Sequence, residues 1–138
     1  MLSKKPVLTS QELEIMKVVW RSGASTVRDV YETLLEHRKI AYTTVMTMMN
    51  ILEQKGHLKK SQKDRAYVYQ ATRPQKQVIR GMVREIVDRV FNGSAEPLLL
   101  HLVEDRRLSE RDVEEIRRML RESSERKRPG NPEGSAGV

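Results

Sequence analysis

The sequence contains no cysteine in 138 residues and only one tryptophan and one phenylalanine. Without thiols, disulfides, Cys-ligated zinc, copper or iron–sulfur sites and thiol nucleophiles are all excluded. No apolar run exceeds a few residues, so no segment is expected to enter a bilayer. Met1–Pro6 is basic but no apolar stretch follows it, which leads to the expectation of no secretory signal and a cytoplasmic protein. Neither a G-x-S-x-G motif nor a P-loop occurs, and His37, His57 and His101 stand at no metal-ligand spacing. An enzyme, a resident metal and a cofactor are therefore not expected. The carboxylates that are present sit on helix faces beside Lys or Arg.

What the chain has is positive charge, unevenly placed. The net charge is +7, and residues 1–73 hold 13 Lys/Arg against 7 Asp/Glu, whereas residues 74–122 hold 10 of each. The first half therefore suits a polyanion, and the second needs another role.

Periodicity resolves the first half into three helices and a hairpin. Thr9 and Glu12 make a capping box with Leu8 and Leu13 as its staple, and Leu13, Met16, Val19 and Trp20 follow at helical spacing. A second helix starts at Ser25 or Thr26 and buries Val27, Val30, Tyr31, Leu34 and Leu35. The third runs from about Tyr42 to Lys55, with Val45, Met48, Met49 and Leu52 facing inward and Gly56 as a left-handed stop. Two short strands, 58–62 and 66–70, join through Lys63-Asp64-Arg65. Three helices and a hairpin in this order form a winged helix-turn-helix, which places its third helix in the major groove.

The outer face of that third helix is uncharged. Thr43, Thr47, Asn50 and Gln54 line it, with Thr44 and Met46 beside them and Tyr42 at its start. Hydroxyls, an amide and a thioether can read base edges, and Asn50 could pair with both edge atoms of adenine. With no Arg available for guanine, the contacted bases should be rich in A·T pairs. Lys55, Lys59, Lys60, Lys63 and Arg65 are the candidates for phosphate contacts, Arg65 at the hairpin tip foremost. A core helix whose outer face merely happens to be neutral is the competing explanation.

From Pro74 the pattern changes. Val78, Ile79, Met82, Val83, Ile86, Val87, Val90 and Phe91 stripe one long helix, stopped by Asn92-Gly93. Leu98–Val103, including Leu99 and Leu102, forms a short apolar helix, and Ser109 with Asp112 caps a last one carrying Ile116, Met119 and Leu120. About fifty residues cannot bury that much apolar surface alone. A second copy of the chain is the economical cover, so 74–122 is expected to be a homodimerisation domain; the alternative is that it folds back on the first domain. Residues 123–138 show no apolar pattern and are expected to be disordered. The expected architecture is mostly α: a winged helix (1–73), a three-helix dimerisation domain (74–122) and a tail.

Three segments carry a family resemblance. Thr9-Ser-Gln-Glu-Leu-Glu-Ile-Met-Lys-Val-Val-Trp20, Tyr42–Gly56 and Arg65-Ala-Tyr-Val-Tyr69 resemble the penicillinase-repressor (BlaI/MecI/CopY) family, as does the Phe91-Asn-Gly93 step. The resemblance spans about Thr9 to Leu120. It implies a homodimeric bacterial repressor of an inverted-repeat operator of the TACA/TGTA type, with Thr44 and Thr47 among the DNA contacts. It also implies release through cleavage of the dimerisation domain by a membrane-bound, β-lactam-sensing metalloprotease. Three departures stand out. Ile51 replaces a frequent Arg, His101-Leu102 stands where the cleaved bond is Asn-Phe, and the C-terminal cysteines of the copper-responsive branch are missing. The alternatives are a winged-helix regulator released by a small ligand and a winged helix used only for protein contact.

Overall fold

The computed structural model describes residues 8–127, which fold into two compact units dividing between Glu85 and Ile86. The elements are α1 (Ser10–Ser22), α2 (Val27–Leu35), α3 (Tyr42–Gln54), β1 (Leu58–Lys63), β2 (Ala66–Ala71), α4 (Gln75–Val90), α5 (Glu96–Glu104) and α6 (Glu110–Lys127). The fold is mostly helical, a winged helix followed by further helices. Among the described residues no helix is long and apolar enough to cross a membrane.

In the first unit, each helix begins or ends where a local polar group satisfies free backbone. The Thr9 hydroxyl accepts from the Glu12 N–H at 3.1 Å while the Glu12 carboxylate accepts from the Thr9 N–H at 3.0 Å. Thr26 and Asp29 repeat this capping box at the start of α2. Ser25, the other candidate start, is buried instead, and its backbone pairs with Tyr69 as a one-residue third strand beside β2. At the far end of α3, Gly56 has φ 89°, and the His57 N–H reaches the Leu52 carbonyl at 2.9 Å. That 6→1 bond closes a Schellman motif.

The core is made of Leu8, Ile15, Met16, Val18, Val19, Val30, Leu34, Val45, Met49, Leu52, Leu58, Tyr69 and Val78. Its width on α1 exceeds the stripe expected there: Ile15 and Val18 are buried as well, and Leu13 and Trp20 lie at its margin. Leu35, expected inside, is 43% exposed because α2 ends at that residue.

Val78 and Met82 of α4 pack on this same core, and the Trp20 indole N–H donates to the Arg73 carbonyl at 3.0 Å. The first unit therefore continues past the boundary expected at residue 73, because the start of α4 supplies side chains the three-helix core still needs. Likewise α6 continues through residues 123–127, where the sequence suggests disorder. Glu125, Arg126 and Lys127 are good helix formers, and the Arg118 pairs with Glu115 and Glu122 reinforce the preceding turns. Residues 128–138, the rest of that tail, lie outside the described residues, as does Met1–Pro6.

The second unit has no interior of its own. Among the described residues, none after Val78 is buried. Val90, Leu99, Leu100, Val103, Met119 and Leu120 are between 43% and 63% exposed, and Phe91 lies 5.9 Å from the His101 ring.

Candidate nucleic-acid interface

The interface is built outward from α3. Val45, Met49 and Leu52 seat one face in the core, with Met48 at its edge. Ile40 packs on the same core just before the helix, where Ala41 offers no side-chain cap. This seating turns Thr43, Thr44, Met46, Thr47, Ile51 and Gln54 outward, all of them exposed or partly so. Glu53 is the only charged residue in the helix.

Tyr42 is half-buried at the start of α3. Its ring meets Tyr31 edge-on at 5.3 Å, and the Arg28 guanidinium lies 5.4 Å from its centre. Sequence reasoning misses Arg28 as part of this surface. A cation in the first turn of α2 opposes the helix dipole, and that broken local rule is the available signal. Its approach to α3, however, exists only in the fold.

The hairpin is antiparallel, with Lys63 opposite Ala66 and Lys60 opposite Tyr69. Its two-residue turn places Asp64 at φ 51° and Arg65 at φ 70°. This pair of left-handed residues is the primed turn that matches the strand twist. Lys59, Lys60, Lys63 and Arg65 are all exposed.

Two predicted contact residues have other commitments. The Lys55 ammonium lies 2.8 and 3.0 Å from the two oxygens of buried Glu12, so it ties the end of α3 to the start of α1 rather than standing free for a phosphate. Asn50, half-exposed, accepts a hydrogen bond from the Tyr69 hydroxyl at 2.9 Å. Burial raises the Tyr69 phenol above its usual range, with Glu53 adding to the shift, so the hydroxyl keeps its proton and donates.

The profile of the family described as Penicillinase repressor matches residues 8–122. The chain belongs to the penicillinase-repressor family. It is 27% identical over 127 residues to the penicillinase repressor of Bacillus licheniformis, covering 92% of this chain and 99% of that one. It is 32% identical over 123 residues to the transcriptional regulator BlaI of Mycobacterium tuberculosis, covering 88% of each. Among solved structures, the monomeric form of B. licheniformis BlaI in complex with the blaP half-operator matches with 29% identity and a TM-score of 0.47, over 53% of this chain and 89% of that one. Members of the family are DNA-binding transcriptional repressors rather than enzymes, and this chain is one of them.

Proposed function

We propose that two copies of this chain bind an inverted-repeat operator with TACA/TGTA-like half-sites, each placing α3 in a major groove and residues 63–65 on the backbone. The observation that carries this reading is the charge layout around α3. An uncharged, outward row of Thr43, Thr44, Met46 and Thr47 is accompanied by Arg28 at the start of the helix and by Lys60, Lys63 and Arg65 on the hairpin. Neutral groups read bases while flanking cations neutralise phosphates. A cytoplasmic location follows from that partner.

The homodimer is supported by the second unit, which has apolar helices and no interior. In that unit Ile86, Val90, Leu99 and Leu120 are exposed and Val87, Phe91, Leu102 and Ile116 half-buried, and Val83, just before it on α4, is exposed as well. A second copy would cover these side chains.

Release follows from separating the copies. We place the cut at His101-Leu102 in α5, made by a membrane-bound sensor metalloprotease. Helix α5 has no side-chain N-cap and no buried residue, so fraying can present this bond to a protease. A second mode, release by a small ligand, is favoured by one feature of the first unit. Trp20, Lys59, Thr72 and Arg73 line an open cleft of about 390 Å³, within the size range of ligand sites. Intact mass after induction separates the two: fragments ending at His101 support cleavage, whereas an uncut, DNA-free repressor supports the ligand.

Arg65→Gly tests the wing with two readouts of opposite sign. A left-handed Arg costs about 1 kcal/mol or more. Glycine relieves that strain and should hold or slightly raise the melting temperature. Operator binding should nonetheless weaken, and the salt slope should shrink by roughly 0.9 for each phosphate that the variant no longer neutralises. Fluorescence anisotropy on the repeat and on a scrambled duplex, at two salt concentrations, measures both effects. Equal, weak binding of the unaltered protein to both duplexes would sink the operator assignment.

A further inference from the structure

We propose that Tyr69 is a positioning residue for base recognition, holding Asn50 so that its amide acts in the groove as a hydrogen-bond donor and not as a two-atom reader of adenine; this rests on the operator-binding reading above. Tyr69 is 3% exposed and anchored at both ends. Its backbone N–H and carbonyl pair with Ser25 at 2.8 and 3.0 Å, so its main chain is tied to the segment between α1 and α2. Its hydroxyl donates to Asn50 Oδ1 at 2.9 Å, across 19 residues of sequence. One residue thus links the wing, the turn before α2 and the recognition helix, the first two through its main chain and the last through its hydroxyl.

The chemistry of the groove makes this link consequential. Adenine offers N7 as acceptor and N6–H₂ as donor, and an Asn reads both by presenting its oxygen and its nitrogen together. With one of the two Oδ1 lone pairs taken by Tyr69 and the amide plane set by that bond, Nδ2–H is the group left fully free to meet a base, and adenine N6–H₂ would have to share Oδ1 with the tyrosine. Its partners are then acceptors: purine N7, guanine O6 or thymine O4. Lys60 covers the tyrosine pair from the wing, its ammonium lying 4.7 Å from the Tyr67 ring centre and 5.9 Å from that of Tyr69. The burial of Tyr69, 3% exposed, opposes rotation of its ring away from Asn50, so the amide is held rather than merely touched.

The test uses the full chain and a set of operator duplexes in which each half-site base pair is varied in turn, including 7-deazapurine substitutions. Wild type, Tyr69→Phe, Asn50→Ala and the double variant are titrated, with circular dichroism melts to establish that each is folded. Tyr69→Phe removes one neutral hydrogen bond, which predicts about a three- to tenfold loss on the preferred duplex. It should also change the base preference at a single position, toward adenine as Oδ1 is freed, while leaving the salt slope unaltered. Asn50→Ala should be indifferent at that same position, and adding Tyr69→Phe to it should alter the preference no further. A Tyr69→Phe variant that binds every duplex more weakly by one common factor, or one that matches wild type throughout, overturns the proposal. Failure of wild type itself to prefer the repeat over a scrambled duplex overturns the operator reading instead, and this inference with it.

Discussion

Val90→Asp combined with Leu120→Asp should give a monomer whose affinity for a full inverted-repeat duplex is roughly 10²–10⁴-fold lower, the range by which linking two binding modules exceeds one alone. These side chains are 58% and 63% exposed in the single chain, so a carboxylate at either position costs the isolated chain little. In a dimer, each would have to leave water for an apolar interface without a partner, which is strongly unfavourable. The first unit is untouched, so affinity for a half-site duplex should stay at the wild-type value. Sedimentation velocity reads the mass, and anisotropy on full and half-site duplexes reads the binding. A wild-type monomer, or a double variant that remains dimeric, would remove the second unit's assignment.

Glu12→Ala should cost about 2–4 kcal/mol of stability, the range for losing charge-assisted hydrogen bonds and leaving a partly buried partner charge unpaired. The Glu12 carboxylate completes the cap of α1 and also holds the Lys55 ammonium at the end of α3. Without it, Lys55, whose side chain is 25% exposed, keeps its charge and loses its counter-ion. Glu12→Gln, which retains the shape, should fall between the two. Burial works to raise the Glu12 carboxyl, but the Lys55 ammonium and the Thr9 groups outweigh it and bring the group below 4.5. A folded value below the unfolded one means that this stabilisation is present above the ordinary glutamate range. It is lost as pH falls through the lowered folded value. Urea titrations at neutral and acid pH should therefore show wild type losing more stability on acidification than Glu12→Gln. Equal midpoints at neutral pH would show that the ion pair contributes nothing net.

Capping explains why so much is legible without coordinates. Thr9 with Glu12, Ser109 with Asp112 and the Gly56 stop all act within one helical turn, and each stands where the residue types require, whereas the start of α2, open between Ser25 and Thr26 in the sequence, is fixed by the Thr26–Asp29 box. Helical period likewise marks Val45, Met49 and Leu52 as the inward face of α3, and with them the outward row of threonines. The hairpin is signalled by the β-prone run from Ala66 to Gln70 just after a short polar turn.

The polar rim of the core behaves differently. Helical period says which face is apolar, but a long side chain at its edge can turn outward to solvent or inward to a partner. Lys55 turns toward Glu12, 43 residues away, and Asn50 toward Tyr69, 19 residues away. On the sequence alone, both are free to meet DNA. The same limit applies to Val78, whose burial depends on where α4 starts against the core, and to Arg28, whose neighbour Tyr42 lies on another helix. By itself, the sequence determined the elements, the uncharged reading face and the family, because caps, periods and motifs are properties of neighbouring residues. Only the tertiary structure decided which polar groups on that face are already occupied, because a hydrogen-bond partner far along the chain has no local signature.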